Sequence, residues 1–329
     1  MFRYFRQLAP LAAAASAAMP LAAMEPLYVK NLSPVTGLFG LPAQRSALTQ
    51  GRGGLGAALH SSVANNWVVD SSTKEYIKFD GETLRFAAEL RYGLARNWDL
   101  QLEVPWLEQS GGHLDSVIDD WHDLWGMSDG GRSNAPRNQL EYQYASAAGR
   151  GFLLDDDSSG LGDISLSLNY ALFREEDAAV AVALGYKFGT GDEDDFLGSG
   201  GDDIFALVRF SGAHLSDLPL QWHGQLGYLY AGDSDLLSGM QEQHLWFAGL
   251  SLDWLVAEHW SLLAQLDGNA APTDSNLTPL GDDTLIFTGG VRWRISPRWW
   301  VDVSIMEDIL VDTASDVTFQ ASVRYRGGD

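Results

Sequence analysis

The chain has 329 residues, no cysteine and a formal charge of −23, with 44 acidic against 21 basic side chains. That balance argues against a nucleic-acid partner, because phosphate is held by clustered lysine and arginine. The missing thiols exclude disulfides, a lipid-bearing cysteine and thiol catalysis. Beyond residue 23 no apolar run is long enough to cross a bilayer as a helix, so any passage through a membrane needs a closed barrel with every backbone group paired.

In chain order, Arg3 and Arg6 precede a short alanine-rich apolar run that ends near Ala23. A basic start, a short apolar middle and a small-residue exit predict a secretory signal peptide over residues 1–23. Residues 24–54 lack regular alternation. They are expected either to insert into a lumen as a small plug or to form a periplasmic extension. From residue 55 onward, apolar and polar residues alternate in segment after segment, which is the strand period. The clearest pair is Leu84–Tyr92 and Trp98–Trp106: Leu84, Phe86, Leu90, Leu100, Leu102 and Val104 share one face, and Arg85, Glu89, Arg91, Asp99 and Glu103 the other. Further segments follow at about 164–172, 180–188, 203–210, 220–230, 246–254, 260–269, 285–295, 299–305 and 317–325, with a weaker one at 55–67. This gives about 12 strands of roughly ten residues, an even number as bacterial outer-membrane barrels require.

Short connections fall at 93–97, 173–178, 211–218, 255–259 and 296–298. Longer, acidic or glycine-rich ones fall at 70–81, 107–161, 190–202, 231–243, 270–283 and 307–315. The alternation predicts short periplasmic turns, long external loops and both termini in the periplasm. Aromatic pairs six residues apart, Tyr92 and Trp98, Trp254 and Trp260, Trp293 and Trp299, flank three short turns on the apolar face. They suit the lipid–water interface. The predicted fold is a single transmembrane antiparallel β-barrel (residues 55–329) in the cell outer membrane, apolar face to lipid and charged face to the lumen. Lipid, lipopolysaccharide and the barrel-assembly machinery are its expected partners, with no cofactor and a monomeric state.

Several stretches resemble an outer-membrane barrel family catalogued as domain of unknown function 3187. They are "PLYVKNLSP", "FGLP", "DGETLR", "RYGL", "EVPW", "SGGHLDSVIDDWHDLWGMSDGGR" and "GLGD". The resemblance implies an exported barrel and brings no catalytic residues. Members often finish on an aromatic-rich strand, whereas here Tyr325 is followed by Arg-Gly-Gly-Asp, displacing the usual assembly signal.

The predicted lumen face carries Arg85, Arg91, Lys187, Arg292, Arg294 and Arg324, opposed by Glu89, Asp99, Glu103, Asp163, Asp253, Asp267 and Asp302. Buried charges must be paired or hydrated. The set is therefore either a structural ion network or a wet path orienting a small solute, and charge reversal at Arg292 and Arg294 is expected to shift ion selectivity. Within the longest loop Leu114, Val117, Ile118, Trp121, Leu124 and Trp125 follow helical spacing, with His122 among them. This predicts a short amphipathic helix that either narrows the lumen or packs on the rim.

Catalysis has weaker candidates. His60 and Ser62 share a strand face near Asn65 and Asn66, which could serve an outer-membrane lipase. Asp119, Asp120 and His122 could mimic a rim protease. The run "GDEDDFLGSGGDD" at 191–203 is rich in calcium-type oxygen donors but lacks the EF-hand spacing. His113, His122, His214, His223 and His244 show no zinc spacing. The sequence therefore points first to a passive channel, with an embedded hydrolase or a closed recognition barrel as alternatives.

Overall fold

A computed structural model describes residues 24–112, 138–213, 219–310 and 312–327. The expected signal peptide and the Trp121 helix (Leu114, Val117, Ile118, Trp121, His122, Trp125) lie outside these residues, as do Asp119, Asp120, His113 and His214. The strands are β1 Leu55–Ser71, β2 Glu75–Ala95, β3 Trp98–Ser110, β4 Glu141–Ser146, β5 Gly151–Leu154, β6 Ser158–Leu161, β7 Ser165–Arg174 and β8 Ala178–Lys187. They continue as β9 Asp203–Ala213, β10 Leu220–Tyr230, β11 His244–Ala257, β12 Trp260–Asn269, β13 Thr284–Arg294, β14 Trp299–Asp308 and β15 Val317–Gly327.

Twelve of them close a barrel. Strands β1, β2, β3 and β7 to β15 pair antiparallel in sequence order, and β15 returns to β1 with Leu55 opposite Gly327. Closure leaves no free edge in the wall, so the backbone is satisfied without water. The side chains are arranged inside out relative to a water-soluble sandwich. Leu59, Leu184 and Leu226 are 65%, 59% and 60% exposed, while Asp99 and Asp302 are fully buried and Lys187 is 1% exposed. Large apolar side chains pointing away from the lumen are stable against lipid and costly against water. The aromatics at the short-turn end lie on this outer face: Tyr92, Trp98, Trp254, Trp260, Trp293 and Trp299 are all exposed. Trp260 stacks on Trp293 across β12 and β13, with centroids 6.0 Å apart.

The far end departs from the expected loops. The connection predicted at 70–81 is a tight turn at 72–74, closed by the Ser72 N–H donating to the Glu75 carbonyl at 2.8 Å. The Asp-Gly at 80–81 suggests a turn, but Ile77 and Phe79 continue the inward face of β2 and bury completely. Part of the 107–161 stretch is strand as well, including a hairpin where the alternation of Leu140, Tyr142 and Tyr144 suggests one. β3 runs to Ser110, the β4–β5 hairpin docks on upper β2, and β6 pairs with upper β3. These strands raise one side of the wall beyond the membrane.

Candidate functional site

The barrel wall encloses a lumen, and the strand period fixes what faces it. Arg85, Glu89, Arg91, Asp99, Glu103, Asp253, Arg292, Asp302 and Arg324 are buried on the inner face, and Asp267 is partly buried there. Most meet one another. Arg91 pairs with Asp99 at 2.9 Å, Arg85 with Glu103 at 2.8 Å, Arg292 with Asp302 at 2.6 Å and Asp253 at 2.8 Å, and Arg324 with Asp302 at 2.9 Å. Arg294 sits half-buried at the short-turn rim.

The lumen is occupied by the chain itself. Residues 24–50 enter at the short-turn end, reach the far end at Thr36–Leu38, and come back down to Gly51. Glu25 lies against Arg91 (2.9 Å), and its carboxylate accepts the Ser46 N–H (2.8 Å), so the two arms of this hairpin-like segment touch near its base. At the tip the Gly40 N–H donates to Asp203 at 2.8 Å. Between them Arg45 forms an ion pair with Glu89, Lys30 lies 3.5 Å from Glu103, and Gln44 donates to Asp267 at 2.7 Å. Tyr28 donates to Glu103 at 3.1 Å and stacks on His60 at 3.8 Å. Four cavities among the described residues along the seam between segment and wall hold about 20 to 40 Å³ each, room for single waters rather than a solute.

The segment has no strand, and among the described residues no backbone-to-backbone hydrogen bond joins residues 24–50 to the wall. Every bond across that interface uses at least one side chain. The join to β1 is glycine-rich: Gly51 and Gly53 adopt φ of 68° and 76°, and a Cβ on Gly93 would lie 1.4 Å from the Gly51 carbonyl oxygen. Only glycine permits the chain to turn this closely from lumen to wall.

The far end of the lumen is apolar. Phe79, Tyr142, Phe152, Phe196, Phe205 and Phe247 gather there with loop leucines around Val35, Leu38 and Phe39 of the segment's tip. Below this cap, Lys187 ties the elements together. Its ammonium donates to Asp163 (2.6 Å), to Ser199 and to the Leu38 carbonyl (3.4 Å), and lies 3.3 Å from Asp203. Asp163 also accepts the Gly191 and Ser199 N–H groups. One buried lysine thus joins the wall, the 190–202 loop and the segment's tip.

The catalytic candidates are placed otherwise. His60 bonds Ser322 through Nδ1 at 2.6 Å rather than Ser62, and Tyr28 covers its ring. In the 191–203 run, Asp202 accepts from Tyr186, Glu193 accepts from Ser234, and Asp203 from Gly40 and Gly232. No cluster of metal-ligating side chains occurs among the described residues. Sequence reading missed Glu25, Tyr28, Lys30 and Arg45, which lie in a segment without period. The alternation at 203–210 puts Arg209 on one face with Phe205 and Leu207, and Asp203 ends the acidic 191–203 run, but neither is in the expected lumen set; both are buried on the inner face of β9. Charges embedded in an otherwise apolar, aperiodic stretch were the one available signal.

A closed twelve-strand wall with a lipid-facing belt and an ionic lumen defines an outer-membrane-type transmembrane β-barrel. The chain belongs to the family described as "Protein of unknown function (DUF3187)", whose profile matches residues 2–326. Among solved structures it is similar to the COG4313 outer membrane channel from Pseudomonas putida F1, with 14% identity, 84% of this chain and 95% of that chain covered, and a TM-score of 0.53. The NanC porin aligns at 7% identity over 82% and 98% of the two chains, with a TM-score of 0.46. Omp33 of Acinetobacter baumannii aligns at 10% over 85% and 100%, with a TM-score of 0.37. No curated protein matches the sequence.

Proposed function

We propose that the protein is a passive channel of the outer membrane for a small solute, and that residues 24–50 are its plug, seen here in the closed state. The observation carrying this reading is that the plug meets the wall without sharing a backbone ladder. Its withdrawal leaves the twelve-strand sheet and its hydrogen bonds intact. Both arms begin at the short-turn end, so the plug can leave toward the periplasm without crossing the apolar cap. A signal peptide cut after Ala23 frees one arm, and the Gly51–Gly54 join supplies the hinge for the other. We read a channel rather than an enzyme because the candidate histidine, His60, lies under the Tyr28 ring and bonds a serine of the neighbouring strand.

Planar-bilayer recording of the refolded chain tests this. The chain from residue 24 onward is expected to be nearly silent, and the same chain lacking residues 24–50 to give steady conductance steps. A variant lacking the plug that shows heat-modifiable gel mobility, hence is folded, yet stays silent would overturn the reading.

A further inference from the structure

Glu89 of β2 and Glu103 of β3 are direct cross-strand partners, both pointing into the lumen and only 7% and 6% exposed. Like charges placed opposite one another in a sheet repel, and burial raises the cost. Among the described residues the wall brings one arginine or lysine within ion-pair distance of this pair, Arg85 on Glu103, while Arg91 and Arg324 act on Glu89 from further off. The plug supplies the others: Arg45 on Glu89 and Lys30 on Glu103. The Arg45 guanidinium also lies over the Tyr28 ring at 5.3 Å, an arrangement that favours a cation.

Two wall atoms around the pair stay unsatisfied even with the plug in place. His60 Nε2, on a residue 2% exposed, has no hydrogen bond and lies 3.9 Å from Glu89. Gln101 donates to Glu89 at 3.3 Å, but its own buried carbonyl oxygen has no partner. A buried polar atom without a partner costs free energy unless something else meets it.

We propose that Glu89 and Glu103 form a binding site for a small organic cation of the guanidinium or alkylammonium type. Arg45 and Lys30 occupy this site as built-in surrogates while the channel is closed. This rests on the plug reading and adds the solute class. Residues 24–50 carry Lys30 and Arg45 against one carboxylate, Glu25. Withdrawal therefore removes net positive charge from the lumen and leaves Arg85 as the one arginine or lysine within ion-pair distance of the carboxylate pair among the described residues, with the His60 ring 3.9 Å from Glu89. A cationic solute replaces what the plug removes, so its binding and plug release favour each other. The exposed carboxylates of the far-end loops, among them Asp155, Asp156, Asp157, Asp192, Asp194 and Asp195, concentrate cations at the opening.

The test uses the refolded barrel lacking residues 24–50 in a planar bilayer under a KCl gradient, with ethylguanidinium chloride as probe. The expected result is a cation-selective reversal potential and block of the potassium current by ethylguanidinium. Glu89→Gln in the same background should raise the half-blocking concentration by about tenfold or more. Anion selectivity, or block indifferent to Glu89→Gln, overturns the proposal. A second readout does not depend on conduction: ethylguanidinium should raise the thermal unfolding temperature of the barrel lacking the plug and have no such effect on its Glu89→Gln form. No shift in either overturns the site. A shift lost on Glu89→Gln in a barrel that never conducts upholds the site and removes only the transport reading.

Discussion

Arg292 offers a quantitative test of how the lumen is held. Its guanidinium is 4% exposed and meets Asp302 at 2.6 Å, Asp253 at 2.8 Å and the Glu25 carbonyl at 2.6 Å. Arg292→Met keeps most of the volume and removes the charge. Asp302, fully buried, retains Arg324 at 2.9 Å. Asp253, 1% exposed, loses the ion pair it has among the described residues. Removing one partner of a buried pair costs about 3–5 kcal/mol. The surviving Arg324 contact places the expectation at the low end, about 3 kcal/mol, or roughly two orders of magnitude in the unfolding constant. Arg294→Met, at the half-buried rim, should cost under about 1 kcal/mol. Reversible urea unfolding in lipid vesicles, followed by tryptophan fluorescence, measures both, and Asp253→Asn added to Arg292→Met should recover part of the loss. An Arg292→Met barrel within about 1 kcal/mol of the parent would refute the argument that this charge is neutralised by specific pairing rather than by water. The same geometry separates two arginines that the sequence treats alike. Substituting Arg292 disturbs the fold and the plug's first anchor, so a change of ion selectivity can be read cleanly only at Arg294.

Lys187→Met should free the 190–202 loop, because Asp163, Ser199 and Asp203 all lose the same buried ammonium. Protease cleavage within 190–202 is expected to accelerate about tenfold or more, corresponding to about 1.4 kcal/mol of local stability, and an unchanged rate would show that the loop is held elsewhere. Glu75 sits above the membrane, where burial alone would raise its pKa. Hydrogen bonds from the Tyr144 hydroxyl and from Asn276 and Ser275 outweigh this and hold it below the ordinary value. A depressed carboxyl contributes stability above its unfolded pKa and loses it as pH falls through the folded one. Hydrogen-exchange protection at 270–283 should therefore drop below about pH 4.3, and Glu75→Gln should show the low-protection pattern at neutral pH. Protection that ignores both changes would mean the carboxylate does not anchor that loop.

The sequence by itself determined the wall. A period of two survives in a chain read one residue at a time, because each strand residue faces lipid or lumen independently of its partners. Leu84 and Arg85, or Val303 and Asp302, could thus be assigned to opposite faces without a neighbour in view. The tryptophans beside the short turns fixed the membrane interface for the same local reason. What fills the lumen was decided only by tertiary structure. Residues 24–50 bind the wall through contacts such as Glu25 with Arg91 and Gln44 with Asp267, 66 and 223 residues apart in sequence, and such contacts impose no period on the segment that makes them. The upper strands β4, β5 and β6 exist because the lengthened β2 and β3 offer them free edges. The far-end apolar cap depends on loop side chains converging from several hairpins. Alternation depends on a residue's own backbone and so is legible locally, whereas the occupant of an enclosed space depends on every surface around it.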